Sequence, residues 1–238
     1  MPIYVYIISG FIIIYALVFL LYKNRMRKTA DAFNNLDLNN EARNAVTYQM
    51  DYLDGAYAFI KEQLKTAPID AFTSARAQHT AADETKDLAK NLVKGIATMG
   101  TVRFRTVRTA KYLVLSGDTL HLLDTNKSGN IAAHLIFDRQ HLQSSSLQET
   151  TKQGGSSFTQ QHFGNYRLRT YKLSLYADDQ PIVLDLYSSF LTIGPQNQGT
   201  VALRVQDMVP QFVVGGNFLN KLGNKYPNLK VTTDLPNI

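Results

Sequence analysis

A chain of 238 residues holds one sizeable domain with short additions. The absence of cysteine excludes a disulfide framework, a thiolate metal site and a cysteine nucleophile. The net charge of +6 is no nucleic-acid signature: four of the 25 basic residues form one short cluster, and without them 21 face 19 acidic residues, a balance of +2.

The chain opens on an apolar run. Pro2 to Tyr22 are 21 residues without a charge, and as a helix they would span about 31 Å, the thickness of a bilayer core. Tyr4, Tyr6 and Tyr22 lie near its two ends, where amphipathic rings favour the headgroup level. A cleaved signal peptide would need cations before this run and a small-residue cleavage site directly after it. Here Lys23, Arg25, Arg27 and Lys28 follow at once, and Ala30-Asp31-Ala32 lies beyond them. The sequence therefore predicts an uncleaved single-pass signal anchor over residues 1–22. The four cations on its C-terminal side predict an N-terminus outside and a C-terminal domain in the cytoplasm. They also mark a membrane-surface contact, each contributing on the order of 1 kcal/mol beside anionic lipid.

Residues 23–92 read as a basic juxtamembrane segment followed by a helical stalk or helical packing layer. Asn39-Asn40 can cap a helix ahead of Glu41. Val46, Met50, Leu53, Tyr57, Ile60 and Leu64 then recur at spacings of four and three, a helical stripe that Gly55 weakens and Pro68 ends. A second helix is expected from Ala82 to near Gly95, with Leu88, Leu92 and Val93 on one side.

From Lys94 the period becomes two. Thr101 to Thr106 alternates, and Lys111 to Leu115 and Thr119 to Leu123 form a hairpin across Ser116-Gly117-Asp118. Thr125 to Asn130 is a second turn, and Ile131 to Phe137 a strand. A further hairpin joins Tyr166–Tyr176 to Pro181–Tyr187 across Ala177 to Gln180, and Val201 to Val205 offers a last strand. Asp207 to Tyr226 reads as a terminal helix around Phe212, Phe218, Leu219 and Leu222; Pro210 suits its first turn, whereas Gly215-Gly216 should weaken or break it.

This order resembles the pleckstrin-homology-like family, bacterial members included, over roughly residues 93–226. Lys94-Gly95-Ile96 sits where the family's first strand begins. Lys111 to Leu123 resembles its second and third strands, and Ile131 to Leu142 its fourth strand and the following connection. For residues 93–228 the resemblance implies an antiparallel β-barrel or sandwich with a C-terminal helix; with the transmembrane helix and helical stalk read above and a tail over 229–238, the chain is expected to be α+β. The family's terminal helix usually carries a Trp. This chain has none, so Phe212 or Phe218 would take over that packing.

Between Leu88 and Gly117 lie Lys90, Lys94, Arg103, Arg105, Arg108 and Lys111 with no acidic residue. Arg103 and Arg105 share one face of a strand, where two guanidiniums can grip one phosphate. In the resembling family, phosphoinositide binders carry a Lys, a gap, then basic-x-Arg, which Lys94 and Arg103-Phe104-Arg105 match. The expected lipid-binding set is therefore Lys94, Arg103, Arg105, Arg108 and Lys111, the alternative being a solvated strand face. His79, His121, His134, His141 and His162 show no metal-ligand spacing, and neither a phosphate loop nor a nucleophile elbow is present. The reading is a non-enzymatic membrane-tethered binding module without cofactor, contacting anionic lipid headgroups or a membrane protein partner and no nucleic acid. The alternative is an accessory or structural subunit of a membrane complex.

Overall fold

Alternating strands need hydrogen-bonded neighbours, and short turns supply those neighbours in chain order. The computed structural model describes residues 3–77, 109–126, 128–150, 168–177, 180–193, 198–200 and 205–237. Seven strands form one antiparallel sheet: β1 (Ala71–Ala77), β2 (Lys111–Ser116), β3 (Thr119–Thr125), β4 (Ile131–Phe137), β5 (Ser146–Thr150), β6 (Thr170–Ala177) and β7 (Gln180–Tyr187). Their order is β4-β3-β2-β1-β7-β6-β5, two meanders joined where β1 pairs with both β2 and β7. A separate pair, β8 (Thr192–Ile193) and β9 (Gln198–Thr200), follows. The helices are α1 (Ile3–Asn34), α2 (Leu38–Arg43), α3 (Ala45–Asp54), α4 (Ala58–Leu64), α5 (Arg139–Ser144) and α6 (Val205–Lys225). The α+β class, the antiparallel pairing and the C-terminal helix agree with the sequence reading, but the described strands form one open sheet ending at β4 and β5 rather than the expected barrel or sandwich.

Several elements differ from it. The helix expected to end at Tyr22 continues without a break to Asn34. Among the described residues no helix is long and apolar enough to cross a membrane; the side chains of residues 1–9, where the uncharged run begins, lie outside that set. The stalk region is a packing layer, with Leu53, Tyr57, Ile60 and Leu64 buried. Val46 and Met50, from the same stripe, are exposed. The stripe assumed one straight helix, but the break at Gly55 lets α3 choose its own inner face of Ala45, Gln49 and Leu53. β1 also lies inside residues expected to be helical. Its small side chains suit a strand packed on both faces between β2 and β7, a tertiary demand that outweighs the helical propensity of alanine. The strand expected at Thr101–Thr106, the helix from Ala82 and residues 201–204 lie outside the described residues, and Val205 opens α6.

The sheet has a hydrophobic cluster on each face. On one, Phe72, Tyr112, Val114 and Leu123 meet Leu53, Tyr57 and Ile60 of the helical layer, together with Phe33 at the end of α1. On the other, Leu113, Leu115, Leu120, Leu122, Tyr171, Leu173, Leu184 and Leu186 form a second core. Helix α6 serves both: Met208, Val209, Phe212 and Val213 enter the first cluster, and Phe218, Leu219 and Leu222 the second.

The glycine pair sits at that crossover and does not interrupt the helix. A Cβ on Gly215 would stand 2.5 Å from the Phe190 nitrogen and 2.6 Å from the Ser189 carbonyl carbon, and one on Gly216 2.8 Å from the Leu235 side chain. Glycine is the residue that admits this approach. In an ordinary helix interior Gly→Ala gains about 0.5–1 kcal/mol. Gly215→Ala should reverse that sign and cost about 1–3 kcal/mol, because the obstructing atoms are backbone. A denaturant midpoint at or above that of the parent would refute this.

Candidate functional site

The described part of the expected cationic set is Lys111, at the start of β2. The two-residue turn Gly117-Asp118, with Gly117 at a φ of +52°, fixes the register that sets Lys111 opposite Asp124. The two side chains form an ion pair, and that of Lys111 is 15% exposed. Its charge is therefore largely committed. Lys94, Arg103, Arg105 and Arg108 lie outside the described residues. Of the four cations that follow the apolar run, Lys23, Arg27 and Lys28 are exposed on α1, with Arg27 4.0 Å from Asp31, and the Arg25 side chain lies outside the described set.

The structure brings together a group that sequence spacing did not suggest. β3 and β4 pair with a bulge: Thr125 faces Ile131, but Asp124 faces Ala133, so Ala132 is extra. Past the bulge His134 lies opposite Leu123, on the same face as His121. His121 Nδ1 is 2.8 Å from His134 Nε2. The outer nitrogens are engaged as well: His121 Nε2 is 3.1 Å from Thr119 Oγ1, and His134 Nδ1 is 3.1 Å from Gln63 Nε2 of α4. His121 is buried and His134 half-buried.

The protons in this chain are fixed by its ends. Thr119 donates its hydroxyl proton to the Ser116 carbonyl at 2.8 Å, so toward His121 it accepts, and His121 carries its proton on Nε2. The bare Nδ1 of His121 then accepts from His134 Nε2–H, leaving His134 Nδ1 to accept from the Gln63 amide. Both rings are neutral. Burial holds both below the usual histidine range, and His134 further disfavours charge on His121.

His141 serves a different purpose. Asp138 caps α5 by accepting from the His141 backbone N–H at 3.0 Å and also meets its ring nitrogen at 2.7 Å. Among the described residues no group of three or more metal-binding side chains occurs. A cleft of about 380 Å³ between α3 and α6, lined by Tyr48, Asp51, Tyr52 and Asp207, contains none of the expected site residues.

No protein-family model matches the chain, and no curated protein or solved structure does so either.

The proton assignment is directly measurable. Imidazole ¹⁵N spectra at neutral pH should show His121 and His134 both as Nε2–H tautomers. Thr119→Val leaves the buried Nε2–H without an acceptor and should cost about 1–3 kcal/mol in an unfolding titration. An Nδ1–H signal from His121 would contradict the assignment.

Proposed function

We propose that the chain is a membrane-tethered, non-enzymatic binding module whose α1 anchors a pleckstrin-homology-like domain on the cytoplasmic side. The observation that carries this reading is the exposure of α1. Phe11, Ile12, Ile13 and Ile14 are 70, 63, 59 and 60% exposed. Four successive residues point in four directions around a helix, so the apolar surface is on all sides. A helix of that kind belongs in an apolar surrounding. Phe11 to Leu21 contains nine large hydrophobic side chains more than half exposed besides Tyr15, and covering them is worth on the order of 10 kcal/mol. The cations after Tyr22 supply the orientation.

The β-domain reading is supported by the order of four meander strands, three more and one terminal helix. It is also supported by the burial of Phe212 and Phe218 on α6, the residues expected to take over the packing that the family usually gives to Trp. With Lys111 paired to Asp124, the cations left to meet anionic headgroups are Lys94, Arg103, Arg105 and Arg108 beside the juxtamembrane four. The second reading, an accessory subunit, draws support from β4. This strand, at the edge of the described sheet, is uncharged from Ile131 to Phe137 and exposes Leu135 and Ile136 at 42 and 57%.

Two measurements test the anchor. The full chain should stay in the membrane pellet through alkaline extraction, and a chain shortened to begin at Asn24 should leave it. A reporter active only in the cytoplasm, fused after Ile238, should be active. Extraction of the full chain would defeat the anchor, and a silent reporter the orientation.

A further inference from the structure

We infer that His121 and His134 form a binding site for a divalent late first-row transition ion such as zinc, copper or nickel. This inference is separate from the membrane reading. Two ring nitrogens, His121 Nδ1 and His134 Nε2, converge on one another at 2.8 Å. Each ring has its other nitrogen hydrogen-bonded to a neutral side chain, Thr119 or Gln63. That is how metal-binding imidazoles are held: the outer nitrogen is tied and fixes the ring plane, while the inner one aims at the ion.

The bulge strengthens the case. An extra residue in a strand re-aims side chains at the cost of ladder hydrogen bonds. Without Ala132 as the extra residue, His134 would stand on the opposite face from His121. No lysine or arginine is hydrogen-bonded or ion-paired to either ring among the described residues; Lys111 is held by Asp124 and Lys61 by Asp54. An incoming cation therefore meets two neutral nitrogen donors.

Little rearrangement is needed. Tetrahedral bonds of about 2.0–2.1 Å hold two nitrogens about 3.3 Å apart, so the pair must open by roughly 0.5 Å. Among the described strands β4 has one neighbour, β3, and can yield. His134 keeps a single ring proton, which moves from Nε2 to Nδ1, and the Gln63 amide turns to present its oxygen to it. Water completes the coordination. The ligand chemistry is that of imidazole, which suits zinc, copper and nickel and not magnesium or calcium.

The full chain, purified with a chelator and then freed of it, is titrated with zinc while the imidazole ¹⁵N signals are followed. One saturable equivalent should shift both His121 and His134, with the His134 tautomer inverting, and magnesium should do neither. His121→Gln and His134→Gln should each abolish the saturable equivalent. Gln63→Ala should weaken it about tenfold or more, as expected when a supporting hydrogen bond is removed. His141→Gln should leave it unchanged. Zinc that shifts neither ring, or that still binds when both histidines are replaced, overturns the site.

Discussion

The approach of α6 to the Ser189–Phe190 backbone is the constraint on which the rest of the fold depends. An open sheet with β1 at its centre has two apolar faces, and separate elements could cover them. One helix covers both because its path crosses the chain leaving β7 at a point where it has no side chain. There the Phe190 N–H reaches the Gln211 carbonyl at 2.8 Å, and Leu191 N–H reaches the Ser74 hydroxyl at 2.8 Å. Helix, connection and central strand are thus tied together within three residues. Gly223 repeats the device one end further on, where a Cβ would stand 2.9 Å from Lys230 Cα. This lets the final segment lie along the helix, secured by Asn220 to the Leu235 carbonyl at 3.1 Å and by Arg169 to Asp234 at 3.0 Å. The expected tail is therefore part of the packed structure.

The same helix receives α1. Phe33 is fully buried and meets Phe212 edge-on with centroids 5.5 Å apart. α1 is one helix from Ile3 to Asn34, so the apolar run and the buried phenylalanine share a single rigid element. Phe33 lies eleven positions after Tyr22, about 16 Å at helical rise. With α1 in a bilayer as proposed, the domain is held at a fixed short height above the headgroups rather than hung on a flexible linker. The juxtamembrane cations then lie between the two along the helix, at the level where anionic lipid acts on them.

What the sequence made legible was local. Both hairpins could be read because alternation and turn residues lie within a few positions of each other, and Ile131 to Phe137 matches β4. β1 could not be read, since Ala71 to Ala77 has neither alternation nor β-branched richness beyond Thr73 and is a strand only because β2 and β7 flank it. Gly215-Gly216 suggested a break for the right chemical reason, the flexibility of glycine. The opposing fact, a backbone segment from residues 189–190 pressed against the same spot, is invisible locally.

The chemistry followed the same divide, and register shows where it fell. From the turn at Gly117-Asp118, counting outward pairs Ser116 with Thr119 and so Lys111 with Asp124. That ion pair follows from the hairpin register alone, and it engages the Lys111 charge within the sheet. The same counting across the next turn fails. From Thr125 opposite Ile131, an unshifted ladder would set His121 opposite Leu135 and His134 opposite Leu122, on opposite faces. The bulge moves His134 by one place, and a one-residue shift changes its face. Nothing in the residues around Ala132 announces it. The histidine pair is thus a product of a single extra residue in an edge strand, which only the folded register reveals.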